Sequence, residues 1–172
     1  WYRSHRVQSR KLRGPARLEF LRDGVATWLD TLPSITYAAI EDGSFGSEGR
    51  LFQLGGVQHI IQLELWKRVE GAVIEPAPLQ LKKFQTGKPG ALKEWMIEAA
   101  NDFIKSVDIP PAGDPMLYSS PWPHRVIKDD NIADAIGLAR IAHALYTEEV
   151  TTRAEAEVVV ALQNSNRIHE VP

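Results

Sequence analysis

With 172 residues, 44% of them hydrophobic, and a formal net charge of −2, the chain has the size and apolar content of one ordinary globular domain. It lacks the overall basic excess of a protein held to nucleic acid by bulk charge. The absence of cysteine excludes a disulfide framework, a thiol nucleophile and a cysteine-ligated zinc or iron–sulfur site, and it fits a reducing compartment. No apolar run approaches the roughly 20 residues that a membrane span needs, so the expectation is a soluble, intracellular, cytoplasmic protein without a membrane partner.

Charge is distributed unevenly. Arg3, Arg6, Arg10, Lys11, Arg13, Arg17 and Arg22 face only Glu19 among the first 22 residues, and Lys82, Lys83, Lys88 and Lys93 form a second basic group. After Gly14-Pro15, a helix start signal, Leu18, Leu21, Val25, Trp28 and Leu29 recur at helical spacing and predict a helix over residues 15–30. Pro33-Ser34 ends it. Residues 35–40, Ile-Thr-Tyr-Ala-Ala-Ile, are expected to form a central strand buried on both faces, running into Glu41-Asp42-Gly43. Gly43, Gly46 and Gly49 mark a loop, and Leu51, Leu54, Val57, Ile61 and Leu65 predict a second helix.

Residues 71–75 read as a second strand, closed by Pro76 and Pro78, and strand, helix, strand at this length predicts parallel neighbours joined by a right-handed crossover. Residues 78–94 read as a lysine-bearing, glycine-containing connection. Leu92, Trp95, Met96, Ala99 and Phe103 predict a helix over residues 91–105, and the proline-rich stretch 110–124 is long enough for a functional loop. A further helix runs to about Tyr146. Residues 147–172 are polar apart from Val158, Val159 and Val160, and are expected to form a peripheral C-terminal segment of a single domain spanning residues 1–172.

The most informative stretch is Asp129-Asp130-Asn131-Ile132-Ala133-Asp134-Ala135, which opens that last helix. Asp130 and Asp134 are four apart and Asn131 and Asp134 three apart, so either pair can share a helix face. Acids in a first turn also serve as caps that complement the helix dipole, and both readings stand. The run from Ala135 to Ala142 is too apolar for a solvated helix, so the Asp134 carboxylate at its mouth needs a partner or a cation. Glu41, at the carboxyl end of a strand, is either a turn residue or a functional acid placed where open α/β sheets hold their ligands. Acids converging from a strand end and a helix mouth bind Mg²⁺ or Mn²⁺, and they can hold two ions about 4 Å apart for phosphodiester hydrolysis. Lysines of the 78–94 segment can neutralise phosphates, as can backbone N–H groups at the next helix start. His5, His59, His124, His143 and His169 are scattered, and no Gly-x-Ser-x-Gly elbow is present.

Five pieces in order give the chain its resemblance to a family: Leu12-Arg13-Gly14 with Arg17-Leu18; Ala38-Ala39-Ile40-Glu41; Leu54-Gly55-Gly56-Val57; the run from Pro78-Leu79-Gln80-Leu81-Lys82-Lys83 to Gly87-Lys88 with Lys93-Glu94; and Asp130-Asn131-Ile132-Ala133-Asp134-Ala135. Together they resemble the RuvC-like Holliday-junction resolvases of the ribonuclease H-like, or retroviral-integrase, superfamily, over residues 12–146. The resemblance implies an α/β fold with a mixed central sheet flanked by helices. It implies a prokaryotic or phage-like, Mg²⁺-dependent endonuclease that cleaves branched DNA as a homodimer with two metal ions.

Carried over residue by residue, the resemblance makes Glu41, Asp130 and Asp134 the catalytic acids, and Glu41, Asp134 and either Asp130 or Asn131 the metal ligands. Asn131 stands where the family commonly has Asp or His, and the family's first-strand Asp has no counterpart. The N-terminal strand that carries that Asp is therefore expected to be missing by truncation of a longer chain. Lys82, Lys83, Lys88 and Lys93 would contact the DNA backbone, and Phe45 would stack on an opened base or anchor its loop. The alternative is a non-catalytic DNA-junction binding or assembly module of the same fold.

Overall fold

The structure is a computed structural model that describes residues 13–42, 51–107 and 126–171, with the backbone alone at 51–54. Phe45, the arginines and lysine from Arg3 to Lys11, the whole 43–49 segment and the whole 110–124 segment lie outside the described residues.

The two expected strands form as β1 (Ile35–Ala39) and β2 (Val69–Ile74), hydrogen-bonded in parallel with Tyr37 opposite Ala72 and Ala39 opposite Ile74. Helix α1 (Gly14–Leu29) precedes β1, and α2 (Leu51–Trp66) makes the crossover between the two strands. Between the pairs Ile35–Val69 and Tyr37–Ala72, β2 carries one more residue than β1. This irregularity breaks the two-residue alternation, so Ile35 packs into one apolar cluster and Tyr37 into the other. Gly71 sits there because a Cβ would come within 2.7 Å of the Thr36 carbonyl oxygen and 2.8 Å of the Tyr37 ring.

β1 pairs only with β2 among the described residues, and its side chains are half-buried or exposed. The expectation of a doubly buried central strand is therefore met by β2 instead. The third strand, β3 (Ile168–Glu170), pairs antiparallel with β2 through Ala72–Glu170 and Ile74–Ile168, which makes the described sheet mixed, with order β1-β2-β3. This corrects the reading of residues 147–172 as peripheral. Helix α6 (Arg153–Gln163) buries Val158, Val159 and Leu162, and β3 extends the sheet. The start of α6 is fixed locally: Thr152 Oγ1 accepts from the Glu155 N–H, and Glu155 reaches back to the Thr152 N–H.

A second correction concerns residues 78–86. They form helix α3 (Pro78–Thr86) in place of the expected loop, with Pro78 in its first turn, the Gln80 side chain accepting from the Ala77 N–H, and Gly87 at φ 79° as the left-handed stop. Helices α4 (Lys93–Ser106) and α5 (Asp130–Thr147) come next in the chain. One face of the sheet is covered by α3 to α6, whose core includes Ile74, Leu81, Met96, Ile141 and Leu162. The opposite cluster joins Leu29 of α1 and Leu65 of α2 to Val69 and Val73.

Candidate functional site

Tyr146 of α5 meets Tyr37 of β1 and the charge of Asp134 is felt at Glu41, so α5 lies along β1 with its acidic mouth toward the strand's carboxyl end. The Tyr146 and Tyr37 rings lie 5.4 Å apart near one end of the pair. From Tyr37 forward to Glu41 the strand advances about 13 Å, and from Tyr146 back to Asp134 the helix retreats about 18 Å. Glu41 and Asp134 therefore arrive in one region. Asn101 of α4 steadies the entry to α5, since its amide donates to the Ile127 carbonyl at 3.1 Å and accepts from the Ile127 N–H at 2.8 Å.

Glu41 lies directly beyond the β1–β2 ladder. Its neighbours are anchored by Ile40 N–H to the Ile74 carbonyl at 2.9 Å and Asp42 N–H to the Pro76 carbonyl at 3.0 Å, and its own carbonyl accepts from Gln58 Nε2 at 3.4 Å. The side chain is half-buried. Burial pushes its carboxyl above the usual carboxylate range, the charges of Asp134 and Asp42 push the same way, and Lys82 opposes them. Asp134, also half-buried, is raised by burial and by Asp130, against Lys82 and Lys93. The two acids thus share a repulsion that Lys82 only partly offsets.

The rest of the helix mouth is more fully partnered. Asp129 is the N-cap, accepting the Asn131 N–H at 2.8 Å and the Asn131 side-chain amide at 2.9 Å. Asp130 is ion-paired with Lys93, whose hydrogen bond and charge hold it below its ordinary value. The cap reading of the acidic stretch therefore has its residue in Asp129, while Asp134 is half-buried and its charge raises the Glu41 carboxyl.

The expected phosphate-binding lysines separate. Lys83 pairs with Glu157 of α6 at 2.8 Å, Lys88 lies 4.8 Å over the Trp95 ring, and Lys93 is on Asp130. Lys82 is the one whose charge acts on both Glu41 and Asp134. It reaches them from a helix, held close to α5 where Gly137 lets Leu81 and Gln85 approach: a Cβ at position 137 would sit 2.0 Å from Gln85 Oε1.

Among the described residues, no group of three or more His, Asp or Glu side chains is drawn together as a metal-ligand set. The pair itself fits a small divalent cation in donor type, because both groups are hard carboxylate oxygens whose mutual repulsion a cation relieves. Two features are absent from the sequence-based expectations. The Thr152–Glu155 capping box is a local signal for α6 that the sequence displays. No local signal announces Arg167, whose guanidinium reaches Asp42 at 2.6 Å from the far end of the chain.

No protein-family model matches the chain, and no curated protein matches it. Among solved structures it is similar to RuvC of Thermus thermophilus, at 20% identity and a TM-score of 0.53, over 82% of this chain and 74% of that one. It is likewise similar to T. thermophilus RuvC in complex with Holliday junction substrate, at 15% identity and a TM-score of 0.53, over 81% of this chain and 73% of that one. The fold is RuvC-like, a mixed α/β architecture of the ribonuclease H-like kind. Among the described residues, no helix is long and apolar enough to cross a membrane.

Proposed function

We propose that the chain is a nuclease domain of Holliday-junction-resolvase type, spanning residues 1–172, that cleaves branched DNA as a homodimer with Mg²⁺ or Mn²⁺. The observation that carries the reading is the pair Glu41 and Asp134, half-buried and mutually repelling at the carboxyl end of β1, on a fold shared with a RuvC that has been seen with a Holliday junction. Glu41 and Asp134 would hold the cations, with Asp130 or Asn131 as the further ligand on the helix. When bound, two such ions supply Lewis acidity to the attacking water and to the departing oxygen. Lys82 orients a phosphate between strand end and helix mouth and offsets the charge of the acids. The N-terminal dipole of α5 favours the same anion. Lys83, Lys88 and Lys93 lie on the flanking α3–α4 surface, where the DNA backbone would run.

The test is Asp134→Asn, with cleavage and binding of a synthetic four-way junction measured separately. The variant should lose at least about 100-fold in cleavage rate, as expected when an essential electrostatic group is removed, while binding holds or tightens through the loss of one negative charge. Unchanged cleavage at saturating Mg²⁺ would sink the assignment.

A second reading, a junction-binding module without catalysis, is favoured by the ion pair that ties Asp130 to Lys93 and by the absence of a three-acid group among the described residues. It calls for metal-independent junction binding and no cleavage by the full-length protein at any Mg²⁺ or Mn²⁺ concentration.

A further inference from the structure

The C-terminal strand reaches back to the strand end that carries Glu41. Arg167, just before β3, is joined to the end of β2 by backbone, its carbonyl accepting from the Glu75 N–H at 2.8 Å. Its guanidinium then does two things at once. It donates to Asp42 Oδ2 at 2.6 Å and to the Glu75 carbonyl at 3.0 Å, bridging the chain that leaves β1 to the chain that leaves β2. Asp42 is the residue after Glu41, and the pair is partly shielded, with the two side chains 33% and 26% exposed.

We infer that Arg167 is a positioning residue for Glu41, fixing the direction in which the strand end presents that carboxylate. The inference rests on the reading of Glu41 as a functional acid. An ordinary surface ion pair contributes about 0.2–1 kcal/mol and specifies little geometry. This one differs in what it spans. A single guanidinium nitrogen, Nη1, makes both bonds, and the guanidinium plane fixes the directions of its two N–H groups, which the freely rotating ammonium of a lysine does not. The other anchors around Glu41 come from β2 and α2, through Ile74, Pro76 and Gln58. Arg167 alone grips the Asp42 side chain among the described residues, and it does so from an element that lies beyond the acidic helix in the chain. It therefore gives the connection between α6 and β3 a task at the site.

The experiment compares the parent with Arg167→Met and Arg167→Lys, reading amide hydrogen exchange by NMR and, on a four-way junction, kcat and KM. In Arg167→Met, exchange at Asp42, whose N–H bonds the Pro76 carbonyl, should quicken by at least tenfold, about 1.4 kcal/mol of lost local protection. The Ala133 amide at the mouth of α5 should be unmoved. kcat should fall between about tenfold and 100-fold at unchanged KM, as displacement of a reacting group by about 1 Å would cause, with Arg167→Lys between Met and parent. Parent-like exchange at Asp42, equal acceleration at Asp42 and Ala133, or an unchanged kcat in a cleaving protein each overturns the inference. Should Arg167→Met fail to fold, Asp42→Asn removes the same ion pair at nearly constant size and is judged by the same readouts. Exchange is measured without DNA or metal, so it decides the role of Arg167 even in a protein that does not cleave, whereas the nuclease reading fails separately, on Asp134→Asn.

Discussion

The middle and the mouth of α5 treat buried charge in opposite ways. In the middle, Arg140 lies 4.5 Å from the Phe103 ring centroid and 5.4 Å from that of Phe84, and it donates to Glu155 Oε1 at 2.5 Å. The other Glu155 oxygen accepts from the N–H and hydroxyl of Thr151, both at 2.7 Å, and from the Thr152 N–H at 3.0 Å. Burial pushes the Glu155 carboxyl up, yet those bonds and Arg140 outweigh it and hold the group below its ordinary range. At the mouth, Glu41 and Asp134 are half-buried where Glu155 is buried, and there repulsion adds to burial and both carboxyls rise. A charge that only holds the fold together has its partners supplied from within the chain. A pair left in repulsion at a strand end lacks such partners among the described residues, and the proposed function rests on that difference.

The contrast breaks most severely if Arg140 is replaced. Arg140→Met strands Glu155 in the core and should cost about 3–5 kcal/mol, read as a lower denaturant midpoint in equilibrium unfolding. Adding Glu155→Gln, which removes the charge and keeps an acceptor for Thr151 and Thr152, should recover most of that loss, since the penalty belongs to the uncompensated charge and not to the missing attraction.

At the mouth the same kind of change should act with the opposite sign. Because Glu41 and Asp134 bind protons more tightly folded than unfolded, the fold loses stability as pH rises from their unfolded values through their folded ones. Neutralising either group should therefore raise stability by roughly 0.5 kcal/mol at neutral pH, and the gain should vanish below the ordinary carboxylate range, about pH 4. Glu155 runs the other way, its contribution present above its unfolded pKa and lost on acidification. Thermal melts of Glu41→Gln, Asp134→Asn and the parent across pH 3–8 check this; a gain independent of pH would mean that the two carboxylates do not repel.

The smallest effect distinguishes the lysines. In a salt titration of junction binding, Lys82→Ala should reduce the slope of log affinity against log salt by about one unit. Lys83→Ala should reduce it less, because Glu157 already neutralises that charge at 2.8 Å. Equal slopes for both variants would place the DNA path away from the helix mouth.

Much of the fold is legible locally. The periodic leucines of α1 and α2, the apolar face of α4 and the β-rich runs of β1 and β2 name their own elements, and the crossover length implies parallel pairing. Helix α3 departs from expectation because its lysines and flanking prolines suggest a loop, although Pro78 in the first turn and Gly87 just beyond the end are a start and a stop in full view. Segment α6–β3 departs from it because its apolar content is confined to a few positions that matter only once they meet the core.

What the sequence determined by itself is whatever depends on neighbours within a few residues: helix periods, caps at Asp129 and Thr152, and the carriage of Glu41 and Asp134 on a strand end and a helix turn. Only tertiary structure decided that the charge of Asp134 is felt at Glu41, that Asp130 is held by Lys93 and Lys83 by Glu157, and that Arg167 grips the residue beside Glu41. The reason is physical. Coulomb energy between side chains depends on separation in space, and that separation is set by the direction in which α5 crosses β1 and the order in which β3 joins the sheet, neither of which is encoded in any local window of the chain.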